Sequence, residues 1–257
     1  MKPLTTVLAY HAIGECRAAE DPHLLFVSPS SFEAQMDYLR RHRRVVPLAD
    51  AVSGAMPAGS PVVAITFDDG YRSVLDHALP ILERHGFPAT VFVPTAYVGD
   101  RNRWDEPLPH PLGIMDGDEL RDAEARGLAV ESHGHAHVDL SRASVADARE
   151  DLARSVELLE ALTGRRPRFL AYPFTAGSPG AQEAAAELGF VAAFNIEGRD
   201  RGPFARARVP IGRLDPRWLF RVQTSGRYPR LRYAAATEWA LSAVRRLRGG
   251  PRTASDG

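Results

Sequence analysis

A single cysteine, Cys16, stands among 257 residues, which rules out a disulfide framework and fits a reducing compartment. Lysine is almost missing as well: Lys2 is the only one, so the basic residues are nearly all arginine, a compositional bias and not a binding feature. Net formal charge is zero, which removes any global attraction for nucleic acid. Neither a GxGxxG nor a GxxxxGK[ST] loop occurs, so nucleotide binding has no support. The first apolar run, Val7 to Tyr10, is too short for the core of a signal peptide, and no stretch approaches the roughly 20 apolar residues of a membrane span. These absences set the expectation of a cytoplasmic protein.

With 44% hydrophobic and 25% charged residues, the chain can bury a full core in one large α/β domain. Apolar runs of strand type alternate with helical patterns: "TTVLAY", a helix over "SSFEAQMDYLRRH", "PVVAITF", a helix from about 72 to 85, "ATVFVPT", "DGDELRDAEARG", "LAVES", a helix over 145–162, "RFLAYPF", "PGAQEAAAELG", "FVAAFN" and "ARVPI". This is the pattern of a parallel sheet with helical crossovers. The segment 97–115 has no periodicity, and a loop of that length in a compact domain is usually functional or disordered; Trp104 and Asp105 favour function.

Polar residues follow the strands at once: His11 after "TTVLAY"; Asp68, Asp69 and Gly70 after "VVAITF"; His133 and His137 after "LAVES"; Pro173 and Phe174 after "RFLAY". In a (β/α) barrel the carboxyl ends of the strands share one mouth, where these four groups would converge. An open doubly wound sheet would place its ligand at a single switch point. In "TFDDG" the two carboxylates are adjacent and would face opposite sides of a regular strand, so both serve one site only if the strand ends there, a turn that Gly70 permits. His133 and His137 are four apart, one turn if the segment is helical, so that both imidazoles could face one ion. Two imidazoles and a carboxylate leave coordination positions for water and substrate, the composition of a catalytic metal site. A lone Asp-Asp-Gly is usually a turn and "HGHAH" alone could be a solvated loop; their joint placement at strand ends favours a metal site. His135, between the two, should point away to the surface.

These residues resemble the polysaccharide deacetylase family, carbohydrate esterase family four, over roughly residues 5 to 215. The resemblance rests on "TFDDG" at 66–70, on the paired histidines at 133 and 137 followed by "VDLSR", and on the Pro-aromatic turn at 173–174. It implies a deformed (β/α)7 barrel that removes N-acetyl, sometimes O-acetyl, groups from sugars with a divalent metal, zinc first and cobalt or nickel as other choices. Carried over residue by residue, Asp69, His133 and His137 hold the metal, Asp68 is the general base, and the Phe174 N–H lies where the oxyanion is stabilised. A bound cation polarises the acetyl carbonyl and lowers the pKa of a bound water, which a free carboxylate then deprotonates.

Two departures from the family pattern matter. The arginine that normally orients the base is replaced by Ala171, and Thr175 stands where the family commonly has glycine. Arg208, ahead of "VPI", is the expected substitute, with Arg206 and Arg213 as rivals. No histidine follows His137, although most of the family carries its proton donor late in the chain. One branch, typified by the poly-N-acetylglucosamine deacetylases, is circularly permuted with the acid-bearing strand first, and "LAYHAIG" is similar to that strand. His11 is therefore the expected general acid, with His23 as its competitor.

The partner implied is an N-acetylated saccharide, free, lipid-linked or nucleotide-linked during glycan assembly. A saccharide-binding barrel that has lost catalysis and a hydrolase of a non-sugar amide are the other readings. The barrel is expected over 1–230, a basic helix over 231–248 and a disordered tail over 249–257. From Arg217 onward nine arginines face only Glu238 and Asp256, so the helix could touch an anionic membrane surface; its small apolar face favours packing on the barrel instead.

Overall fold

The computed structural model describes residues 5–17, 20–54, 61–105, 111–174, 176–196 and 200–228. In chain order, β1 (Thr5–Tyr10) leads through the short ribbon β2 (Ala12–Ile13) and β3 (Phe26–Val27) to α1 (Pro29–His42), β4 (Arg44–Val45) and α2 (Leu48–Ser53). Next come β5 (Val62–Phe67), a π turn over Val74–Ala78 continuing as α3 (Leu79–His85), β6 (Ala89–Val93), α4 (Gly117–Ala125) and β7 (Leu128–Ser132). The remainder is α5 (Val145–Thr163), β8 (Phe169–Ala171), α6 (Pro179–Glu187), β9 (Ala192–Asn195), β10 (Arg206–Ala207), β11 (Val209–Pro210) and α7 (Arg217–Gln223).

Helix starts follow their caps. Ser28, Ser144 and Ser178 each accept from the backbone N–H three residues on, and Asp116 with Glu119 forms a reciprocal capping box. On α1, Phe32, Met36 and Leu39 form the buried stripe that their spacing predicts. The short α2 carries too few residues for a periodic signal and was not legible from the sequence.

The strands are parallel in the order β10-β9-β8-β7-β6-β5-β1-β11, and β4 adds to β5 at the base. The two ends of this path are consecutive in the chain, with Arg208 alone between them: β10 pairs with β9 and β11 pairs with β1. Segment 206–210 thus closes a nearly complete eight-strand barrel, with seven positions around the ring when that segment is counted once.

Strand alternation sorts the core into layers. Val7, Val62, Ala64, Phe92, Phe169, Ala171, Ala192 and Phe194 fill the barrel, and Val46, Leu48 and Ala51 of the α2 region join the same cluster. Their neighbours Leu8, Val63, Ile65, Val91 and Val130 pack outward under α1, α3 and α4. Leu170, Tyr172 and Ala193 do so under α5 and α6. The site residues lie at the opposite, carboxyl end of the strands, as barrel geometry requires. No helix among the described residues is long and apolar enough to cross a membrane. The basic helix expected at 231–248 and the tail at 249–257 lie outside the described residues.

Candidate active site

Parallel register sets the first contact. β1 and β5 pair with Tyr10 opposite Phe67, so the next residues, His11 and Asp68, meet at the mouth. His11 Nε2 lies 4.0 Å from Asp68 Oδ2. β5 ends there because Asp69 takes φ 69° and Gly70 φ 63°, which turns the second carboxylate into the same mouth. A Cβ on Gly70 would press on Val93 at 3.2 Å, so glycine serves both conformation and space.

Asp69 Oδ1 stands 3.3 Å from His133 Nε2 and 3.2 Å from His137 Nε2. The three ligand atoms lie within 4.8 Å of one another, and all three residues are buried. The imidazole of His133 donates from Nδ1 to the Ala171 carbonyl at 2.7 Å, which orients the ring with Nε2 toward Asp69. Residue 171, where the family has its arginine, here supplies a backbone acceptor.

The segment after β7 is a loop, not the helical turn considered from spacing. His137 reaches the site through φ 50° and Gly134 through φ 74°. Asp151 of α5 fixes the loop by accepting from the N–H groups of His135 and Ala136, both at 2.8 Å. His135 does point away, but it is half-buried and its Nδ1 pairs with Thr95 Oγ1 at 2.9 Å, so it is not a surface group. The His137 ring is stacked on Trp104 at 4.0 Å between centroids and flanked by Phe174 at 4.9 Å. Trp104 comes from segment 97–115, which a run of backbone bonds ties to the Asp-Asp turn: Met115 N to Gly70 O, and Arg72 N to Gly113 O.

Asp68 is fully buried and paired with Arg208, also fully buried: Nη1 donates to Oδ1 at 2.6 Å and Nη2 to Oδ2 at 2.7 Å. Nη1 also reaches Thr66 Oγ1 at 3.0 Å, and the guanidinium lies over the Phe92 ring at 5.2 Å. The two rivals are elsewhere. Arg206 lines a cavity at the base of the barrel, and Arg213 bonds Asp21 and the Cys16 carbonyl.

Burial works to raise the Asp68 pKa but is outweighed, chiefly by Arg208 with His133 and His11 in support, and the carboxyl is held below its usual range. Asp69 is burdened by burial too, yet hydrogen bonds from His133 and His137 hold it well below. Burial lowers both imidazoles. In His133 the two aspartates reverse the sign and raise its pKa, whereas His137, with Asp69 and a repelling His133, stays lowered.

His11, Asp68, Asp69, His133, His137, Trp104 and Phe174 line one cavity of about 230 Å3 together with His23, Leu25, Asp105 and Ile196. Phe174 takes φ 61°, and among the described residues nothing accepts a hydrogen bond from its N–H. The non-glycine residues described at positive φ are Leu24, Asp69, His137 and Phe174, all at or beside this mouth, the clustering of backbone strain found at functional sites. Sequence reasoning missed Asp151, whose partners become neighbours only on folding.

Two buried imidazoles and one carboxylate, with the tautomer of His133 fixed by a carbonyl, fit a divalent ion of zinc type that keeps an open side toward the cavity. Comparison with known proteins agrees in kind. The family model for polysaccharide deacetylase matches residues 55–193, a range that contains Asp68, Asp69, His133, His137 and Phe174 but neither His11 nor Arg208. A poly-beta-1,6-N-acetyl-D-glucosamine N-deacetylase of Staphylococcus aureus (strain MRSA252) is 31% identical over 162 residues, 58% of this chain and 53% of its own length. The chain thus spans about half of that relative. Among solved structures, IcaB from Ammonifex degensii matches with a TM-score of 0.73 at 24% identity, over 86% of this chain and 96% of its own. The Streptococcus pyogenes deacetylase PplD, solved in complex with acetate, matches with 0.73 at 20% identity, over 86% and 97%. These likenesses establish the fold, and with a family match over more than half of its residues the chain belongs to the polysaccharide deacetylase family.

Proposed function

We propose that the protein hydrolyses N-acetyl groups on a sugar or oligosaccharide in a metal-dependent reaction. The observation that carries this reading is the side-by-side division of the two aspartates. Asp69 faces two imidazoles, while Asp68 is clamped by Arg208 and kept out of that donor set. A divalent ion held by Asp69, His133 and His137, zinc being the best match to two nitrogens and an oxygen, would polarise the acetyl carbonyl and acidify water.

The chain's own groups do the rest. Asp68 accepts the proton of the attacking water, and Arg208 keeps it ionised and aimed. The Phe174 N–H is available to the charge that develops on the acetyl oxygen. His11, on the neighbouring strand end, gives a proton to the departing amine. Trp104 and Phe174 hold the His137 ring between them.

The polymer in the staphylococcal relative's name belongs to that protein; for this chain the proposal is an N-acetylated saccharide. Acetate release from a panel of N-acetylated oligosaccharides, with zinc or cobalt added and then chelated, tests it. Release that needs the ion is expected. No release from any member of the panel by the metal-loaded protein would reject the reading.

A further inference from the structure

The mouth holds one more pair of polar side chains, which the proposed reaction does not use. His23 Nε2 lies 3.8 Å from Asp105 Oδ1, and both residues line the cavity. They come from different loops. His23 sits on a turn whose next residue, Leu24, takes φ 56°, a left-handed conformation that a side chain with a Cβ rarely adopts. Buried Asp21 holds that turn, accepting from the N–H groups of Leu25 at 2.7 Å and Phe26 at 3.3 Å and pairing with Arg213. Asp105 ends the single turn Arg103–Asp105. Its Oδ2 accepts from buried Asn102 at 3.2 Å, which leaves Oδ1 toward His23. Asn102 is fixed in turn by the Leu112 N–H, which donates to its Oδ1 at 2.7 Å.

The Asp105 carboxylate and the backbone turn that carries His23 are therefore held from behind, and the two side chains face each other across a gap too wide for a direct hydrogen bond. An oxygen could rest about 2.8 Å from both atoms, within ordinary hydrogen-bond reach. A hydroxyl satisfies the two sides at once, donating to the carboxylate and accepting from the imidazole N–H. An ether oxygen can only accept, and a methylene does neither.

We propose that His23 and Asp105 bind a free hydroxyl of the sugar unit that carries the acetamido group, and so select saccharides in which that hydroxyl is neither substituted nor missing. This rests on the reading of the cavity as the site of an N-acetyl-sugar deacetylase.

The test compares zinc-loaded wild type, Asp105→Ala and His23→Ala on an N-acetylated oligosaccharide and on deoxy and O-methyl analogues altered at one hydroxyl each. Each substitution is expected to raise KM and lower kcat/KM about ten- to a hundred-fold, the scale of a lost hydrogen bond to a charged group, with kcat nearly kept. One analogue should cost wild type the same factor and cost Asp105→Ala nothing further. Losses that multiply for every analogue, or values within twofold of wild type in both variants, overturn the proposal. So does a fall in kcat of about a hundred-fold at constant KM in His23→Ala, the mark of a proton donor. If wild type releases no acetate from any saccharide, the deacetylase reading falls separately. The same analogues are then titrated by calorimetry: binding that depends on one hydroxyl and is lost in Asp105→Ala upholds the pair, and any other outcome rejects it.

Discussion

Arg208 and Asp68 are both sealed from water, so each depends on the other for compensation of its charge. Removing one partner of a buried ion pair costs about 3–5 kcal/mol, because the other charge stays behind unpaired. Arg208→Met should therefore destabilise by about that amount in urea unfolding and abolish acetate release. The double variant Arg208→Met/Asp68→Asn should recover much of the stability and none of the activity. An Arg208→Met protein within about 0.5 kcal/mol of wild type, the scale of an ordinary surface substitution, would mean the pair is not as described. His11→Ala should fold, keep its metal and lose about 10²-fold or more in turnover, the scale of a missing general acid. Near-normal turnover would remove His11 from that role. At this scale the sequence was informative wherever chemistry is packed into a few adjacent residues, as in "TFDDG" and "HGHAH". It left three arginines open for Asp68. Strand alternation puts Arg206 and Arg208 on one face, and only the height along the barrel, about 6–7 Å over two residues, brings Arg208 level with Asp68. Asp151 and Asn102 gave no signal, because their roles come from partners distant in sequence or from a loop shape that spacing does not encode.

Among the elements, α5 and α6 meet where Gly180 approaches the start of α5. A Cβ on Gly180 would stand 2.9 Å from Val145 N and 3.1 Å from Ala143 O, both backbone atoms that cannot rotate away. Gly180→Ala should cost about 1–3 kcal/mol, the range for overpacking, with metal binding unchanged because the site is elsewhere. Equal stability in urea would show that the helices separate freely. The main strands and helices were legible because their apolar periods of 2 and 3.6 are intrinsic to the chain. The path of 133–137 was not, since a four-residue spacing fits one helical turn as well as a loop held by Asp151 from α5. Segment 97–115 carried only its length and its Trp-Asp pair as signals. Its anchorage to Gly70 and Arg72 is a matter of tertiary hydrogen bonds.

For the whole molecule, one strand segment does two jobs: residues 206–210 close the ring between β9 and β1, and Arg208, set between the two pairings, crosses the interior to Asp68. With β1 between that segment and β5, the first strand brings His11 to the same carboxylate, so that residues far apart in the sequence meet at one point of the mouth. Because a ligand that binds only the folded state stabilises it, added zinc should raise the melting temperature of wild type and leave His133→Ala and His137→Ala unmoved. An equal rise in those variants would place the ion elsewhere. The central claim is that adjacent aspartates divide the work, Asp69 with the metal and Asp68 with the proton. It is tested most directly by measuring metal content and acetate release side by side in purified wild type and Asp68→Asn. The account predicts the same metal content in both and acetate release from an N-acetylated oligosaccharide by wild type alone. A metal-free Asp68→Asn protein, or one that releases acetate as fast as wild type, would contradict it.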